Sequence, residues 1–308
     1  MFLTVITPTY NRQPILEKCL TALENQQLTS AERYELLVVD DGSTDGTVEW
    51  LSANPDRFPH VRVVSQNHAG ITAARNLGVN SAQGDVIVFV DSDVVVLPNF
   101  LEIHAAALKQ SIDAGSDQIF TYGRLIATCN FADPTAEQAK ITDFSAAYFE
   151  TNNVAIPRHW LIDAGLFDPC FTQYGWEDLE MGVRLKKMGL KLIKCPEALG
   201  YHYHKEFSTE ELPNLVEKEI QRGRMGVVFY QKHPTTEVKM MIQMTVLHQI
   251  LWGVLSVGGR LNERTLKPLI QWLIDRNQSQ LAEQVARIFL NWYNVQGVYA
   301  AYKESQSP

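Results

Sequence analysis

The segment Val86–Val90 reads VIVFV, apolar at every position, and it stops at Asp91. A strand with one face in water alternates apolar and polar residues. One that is apolar throughout is buried on both faces, which requires a sheet with helices packed on either side. Phe2–Thr7, Tyr34–Val39 and Val61–Val64 read as further strands of the same kind. Between them the periodicity becomes helical. Ile15, Leu16, Cys19, Leu20 and Leu23 recur at helical spacing behind Pro14, which suits a first turn. Val48, Trp50 and Leu51 begin a second helix with Ser43, Thr44 or Asp45 as candidate caps, and Gly70–Ala82 forms a third. The alternation predicts an α/β fold built on a mostly parallel central sheet. Open parallel sheets bind ligands beyond the carboxyl ends of their strands. Three polar clusters fall there: Thr7–Arg12, Asp40–Asp45 and Asp91–Asp93.

Farther along, Ile119–Ala127 and Asn153–Ile156 read as strands, Asp178–Met188 as a helix ended by Gly189, and Leu190–Lys194 as another strand. After Ser208 the pattern is mostly helical. The stretch Met240–Gly258, MMIQMTVLHQILWGVLSVG, is long and apolar but interrupted by Gln243, His248 and Gln249. It is expected to be a buried helix; the alternative is a helix lying in a membrane interface. The four cysteines, Cys19, Cys129, Cys170 and Cys195, show no zinc-ligand spacing and are expected to be buried reduced thiols. With no secretory signal pattern, the expectation is a cytoplasmic protein, with peripheral contact at the inner membrane face under the second reading of Met240–Gly258. A formal net charge of −8 argues against a nucleic-acid partner.

The chemistry lies in the clusters. Asp91-Ser92-Asp93 places two hard carboxylates on a short turn at the end of a buried strand, a pattern that can hold Mg²⁺ or Mn²⁺ and leave positions for phosphate oxygens. Asp40 and Asp41 can accept hydrogen bonds from a base and ribose hydroxyls. Glu177 and Asp178 open a helix after Tyr174-Gly175-Trp176. The helix dipole there favours the charged carboxylate, and burial under a ligand opposes it. In the extended run Tyr201-His202-Tyr203-His204 both histidines point to one side, and one imidazole could complete a metal shell begun by Asp93. Lys205, Arg222 and Arg224 follow as cations that could meet a diphosphate, or simply line a solvated helix face.

The runs VITPTYNR, VVDDGSTDGT, GITAARNLGV and DSD, in that order and spacing, resemble family 2 glycosyltransferases of the GT-A fold, and NNVAIPRHWLIDAGLFDPCFTQYGWEDLEMGVRLKKMG is similar to that family's acceptor-side block. The likeness covers roughly Met1–Lys205. It implies an inverting transfer of a sugar from a nucleoside-diphosphate donor, UDP first among them, to a carbohydrate or glycolipid hydroxyl. It implies Pro8, Thr9, Tyr10 and Arg12 in the nucleotide pocket, Asp41 on the base with Asp40 beside it, and Arg75 near the ribose and the metal turn. Asp91, with Ser92 next to it, would face ribose or metal, and Asp93 would bind Mn²⁺ or Mg²⁺. His202 is favoured as a further ligand, with His204 as its alternative. Asp178 of the Glu177-Asp178 pair resembles the general base. The implied division is a nucleotide-sugar half at 1–115, an acceptor and catalytic half at 116–207 and a helical region at 208–308. Two other readings are a sugar-nucleotide nucleotidyltransferase, disfavoured because the loop TPTYNRQ lacks glycine, and a non-catalytic glycan- or nucleotide-binding protein on the same scaffold.

Overall fold

The computed structural model describes residues 1–140, 143, 145 and 147–306. The chain forms two compact units. One comprises Met1–Pro169 with Glu177–His204, and the other Cys170–Trp176 with Lys205–Pro308.

The first unit carries strands β1 (Phe2–Thr9), β2 (Arg33–Asp40), β3 (Val61–Ser65), β4 (Val86–Val90), β5 (Val94–Val96), β6 (Ile119–Thr128), β7 (Asn153–Pro157) and β8 (Lys191–Tyr203). Its helices are α1 (Gln13–Glu24), α2 (Thr47–Ser52), α3 (Ile71–Ser81), α4 (Phe100–Asp113), α5 (Arg158–Asp163) and α6 (Glu177–Lys187). The strands form one sheet in the order β3-β2-β1-β4-β7-β6-β8-β5. β3, β2, β1 and β4 are parallel, as the continuous apolar runs require; β7 then pairs antiparallel with β4 and β6, so the sheet is mixed beyond β4. The chain runs outward from β1 to β3 and returns to place β4 on the other side of β1. Ligand crevices of open α/β sheets form at such a reversal. Leu16, Leu20 and Leu23 of α1 pack with Val5, Val38 and Val88 on one face, while Ile6, Leu37, Phe89, Phe149 and Leu185 fill the other.

Three local expectations change. β5, α4 and α5 join the elements read from sequence, and β8 extends through Tyr203 instead of ending at Lys194. The residue capping α2 is Gly46, at φ +84°, rather than Ser43, Thr44 or Asp45. The Asp45 carboxylate reaches the Thr47 amide at 3.2 Å and the Gln13 amide at 3.1 Å, tying the α1 entry to this loop. Cys19 and Cys195 are buried, but Cys129 and Cys170 are exposed.

The second unit holds α7 (Leu212–Lys232), α8 (Thr236–Met241), α9 (Val246–Leu255), α10 (Glu263–Asp275) and α11 (Ser279–Gln306). α7 and α11 approach closely because Gly223 and Gly297 lie at the crossing. A Cβ on Gly223 would sit 2.4 Å from the Asn294 carbonyl oxygen, and one on Gly297 would sit 2.8 Å from that of Ile220. Phe289, Ile270, Ala282 and Ala286 form the core of this unit. The expected buried helix over Met240–Gly258 is not found. The chain breaks between α8 and α9, with Gln243 at φ +59°, and α9 has no buried residue. Its uncharged sequence made a core position look natural, but the aliphatic stripe points outward.

Candidate active site

The metal-type cluster is assembled by strand pairing. Asp91 and Asp93 lie on the turn between β4 and β5. β5 pairs antiparallel with β8 so that Val94 faces His202, and the Tyr203 amide donates to the Asp93 carbonyl at 2.8 Å. This ladder brings His202 beside Asp93 across 109 residues. One ligand atom from each of Asp91, Asp93 and His202 lies within 4.8 Å of the others. His202 Nε2 stands 3.1 Å from Asp93 Oδ1, yet that buried oxygen makes no hydrogen bond. A hard divalent cation fits an O,O,N set of this kind. His204 is exposed and its ring lies tilted beside that of His202, with centroids 4.1 Å apart. Asp93 also ion-pairs with Arg12, whose side chain is half exposed. Burial opposes the charge on Asp93, but His202, Arg12 and His204 hold its carboxyl below the ordinary value. Asp91 is pushed up to about 6 by burial, with Arg75 opposing and Asp93 adding. His202 is raised: burial works against its cation, and the Asp93 and Asp91 carboxylates outweigh that.

Arg75 of α3 is buried at the centre. Its Nη1 donates to Glu177 Oε1 at 2.8 Å and to Asp178 Oδ1 at 2.9 Å, while Nη2 lies 3.8 Å from Asp91 Oδ1. One guanidinium therefore links the aspartate turn to the start of α6. Asp178 Oδ2 accepts from the Thr151 hydroxyl at 2.9 Å and its amide at 3.2 Å. The Asp178 side chain is 22% exposed and that of Glu177 11%. Glu177 Oε2 is buried with no hydrogen bond, and burial together with Asp178 raises its carboxyl despite Arg75. The residue before α6, Trp176, is held at φ +77°. A bulky residue is rarely found in that conformation, and strain of this kind concentrates at functional sites.

At the ends of β1 and β2 the two aspartates divide their tasks. Asp40 accepts from the Gly42 and Ser43 amides and shapes the turn. Asp41 accepts from Gln66 Nε2 at 2.6 Å and from the Ala69 and Gly70 amides at 2.9 Å each, with His68 Nδ1 also at 2.9 Å. It thereby fixes the loop leading into α3. The Tyr10 ring lies exposed and stacks on His68, centroids 4.2 Å apart, beside this loop. Pro8 and Thr9 are buried at the end of β1, Thr9 Oγ1 has no partner, and Ser92 is buried within the aspartate turn. Sequence reasoning missed Gln66, His68 and Thr151, which carry no motif and are recognisable only from their partners. Lys205, Arg222 and Arg224 belong to the second unit. There Arg222 lies over the Trp176 ring, 5.0 Å from its centroid, and 3.8 Å from Glu219; Lys205 and Arg224 are exposed.

The family model for glycosyl transferase family 2 matches residues 4–161, half of the chain and seven of the eight strands just described. The chain belongs to glycosyl transferase family 2. The validoxylamine A glucosyltransferase of Streptomyces hygroscopicus subsp. limoneus is 25% identical over 319 residues, covering 92% of this chain and 66% of that protein. The chain thus spans about two thirds of that relative's length. Among solved structures, the mannosyltransferase PcManGT from Pyrobaculum calidifontis, in complex with GDP-Man and Mn²⁺, superposes with a TM-score of 0.60 at 20% identity, covering 99% of this chain and 88% of that one. S. aureus TarS 1-349 in complex with UDP-GlcNAc gives 0.55 at 18%, covering 99% and 93%. These likenesses show that the family 2 chain has the GT-A fold, with a C-terminal helical region.

Proposed function

We propose that this family 2 glycosyltransferase moves a sugar from a nucleoside-diphosphate donor to a hydroxyl of a carbohydrate or glycolipid acceptor, with inversion at the anomeric carbon. The observation that carries the reading is the Arg75 link. It joins a metal-type cluster, suited to the leaving diphosphate, to a carboxylate pair suited to the attacking hydroxyl. Asp93, His202 and Asp91 would hold Mn²⁺ or Mg²⁺. When bound, such an ion supplies Lewis-acid stabilisation of the departing diphosphate.

The chain's own groups do the rest. Tyr10 offers a flat face to the base, and the loop pinned by Asp41 borders it. We favour a uridine donor, as UDP-GlcNAc in TarS suggests, while PcManGT carries GDP-Man; the Asp41 carboxylate is taken up by its own loop and is not free for the base. Arg12, exposed and next to Asp93, is placed to follow charge on a diphosphate. Asp178 acts as general base. Arg75 and Thr151 orient both its oxygens, and its partial exposure lets an acceptor hydroxyl reach it. The hydroxyl attacks opposite the leaving group while its proton passes to Asp178. Lys205, Arg222 and Arg224 have no role in this scheme.

The test is Asp178→Asn, which preserves size and removes basicity. Donor affinity should stay near wild type while turnover falls by at least ~10²-fold, and product NMR should show a β-linkage from an α-linked donor. Near-normal turnover, or a retained α-configuration, sinks the mechanism.

A further inference from the structure

Helix α9 is turned inside out. Val246, Leu247, Ile250 and Val254 are 69%, 66%, 59% and 71% exposed, and Leu251 and Leu255 are exposed beside them. The stripe facing the protein is the more polar one. Ser256, just past the helix, is fully buried; Trp252 Nε1 donates to Gln243 Oε1 at 2.6 Å; and His248 Nδ1 lies 2.7 Å from Thr245 Oγ1. An amphipathic helix ordinarily does the reverse, so the outward aliphatic face calls for an apolar partner.

The structure assigns that partner as the headgroup–acyl boundary of an anionic bilayer, with α9 lying in its plane. Length is the first argument. Thr236–Leu255, 20 residues, has the size and composition of a membrane span. It is broken, however, and the ten residues of α9 reach about 15 Å, half of a ~30 Å hydrocarbon core. A short helix with one aliphatic face lies on a membrane rather than crossing it.

Charge is the second argument. No charged side chain occurs between Lys239 and Arg260, and Arg264 and Lys267 follow at once. The Arg264 side chain is 90% exposed, with its Nε 3.7 Å from Glu263. From Lys239 to Arg276 the acids are Glu263 and Asp275, and Glu263 is engaged by the Tyr293 hydroxyl at 2.7 Å. The second unit carries twelve Lys and Arg against ten Asp and Glu, in a chain whose net charge is −8. Cations thus flank the apolar segment in the sequence, as a segment that meets anionic headgroups requires. The third argument is the chemistry of the face. It offers aliphatic carbon without the aromatic, arginine and hydrogen-bonding groups that mark protein interfaces.

This inference is independent of the sugar-transfer reading. The experiment is flotation of the full chain with vesicles of phosphatidylcholine plus phosphatidylglycerol, or of phosphatidylcholine alone, at low and high salt. The protein should float with the anionic vesicles, and high salt should weaken recovery. The triple variant Leu247→Ser, Ile250→Ser, Val254→Ser alters only exposed positions. It should keep its melting temperature and lose about tenfold or more in partitioning. Arg260→Glu with Arg264→Glu should reduce flotation on anionic vesicles. Wild-type protein left in the soluble fraction, or a triple variant that floats as well as wild type, overturns the assignment. A concentration-dependent dimer that the triple variant dissolves, with no recovery on vesicles, overturns it in favour of a second copy of the chain.

Discussion

Replacing Arg75 with methionine tests how the site is held together. The methionine occupies similar length but leaves Glu177, Asp178 and Asp91 facing one another without the guanidinium that now lies 2.8, 2.9 and 3.8 Å from them. Arg75 is 5% exposed, so water cannot replace it without repacking. Removing one partner of a buried ion pair costs about 3–5 kcal/mol. For a unit of this size that lowers the melting temperature by roughly 6–20 °C. The loss depends on pH in a definite direction. Burial already raises Glu177, and Asp91 to about 6; without Arg75 both rise further. A carboxyl whose folded value exceeds its unfolded one favours the fold at low pH, and that contribution disappears as pH rises through the folded value. The gap between wild type and Arg75→Met should therefore be widest near about pH 8 and narrower near about pH 5.5. Arg75→Lys should recover part of the loss, because a point charge can meet Glu177 and Asp178, which share Nη1, but cannot also reach Asp91, which faces Nη2. Thermal unfolding of the metal-free proteins at both pH values reads this directly. A loss below about 1 kcal/mol, or a gap indifferent to pH, would refute the buried-charge argument.

Two further outcomes follow from the same geometry. Asp93→Ala should abolish Mn²⁺-dependent binding of a nucleoside-diphosphate sugar in calorimetry while leaving the protein folded, and equal binding would remove Asp93 from the metal set. His104 is fully buried between Thr121 Oγ1 at 2.7 Å and Asn153 Oδ1 at 2.9 Å, and burial lowers it to about 4. Its unfolded value is about 6.5, so stability is lost as pH falls through 6.5 towards 4, by at most about 3 kcal/mol. Unfolding midpoints across that range should show a slope in wild type that His104→Gln flattens, and parallel slopes would count against the assignment.

The sheet and its polar edge were readable because each strand announces itself locally. VIVFV needs no partner to look buried, and the aspartates that follow it mark the strand end. β5 was not readable: its three valines look like a continuation of the preceding turn, and only pairing with β8 makes them a strand. Arg75 presents a similar limit. Its motif is visible, but its partners lie 102 and 103 residues away, and no periodicity connects them. Family resemblance selected His202; spacing within Tyr201–His204 alone left two histidines open. In α9 the apolar run was plain, while the side it turns inward depends on Gln243 and Trp252, a packing detail outside any helical repeat.

The strand that delivers His202 also contains an offset. β8 pairs with β6 in one register through Lys194 and Tyr122, then resumes with Leu199 opposite Arg124. Five steps along β8 match two along β6, so the intervening residues Cys195–Ala198 act as a phase setting for everything beyond them. Deleting one residue there would present Tyr203 where His202 now stands; inserting one would present Tyr201. Deleting two would present His204. The alternation Tyr-His-Tyr-His thus makes the position beside Asp93 sensitive to odd changes in length and forgiving of a two-residue contraction. The irregular stretch of β8 is therefore where a change in chain length would show directly in which side chain stands beside Asp93.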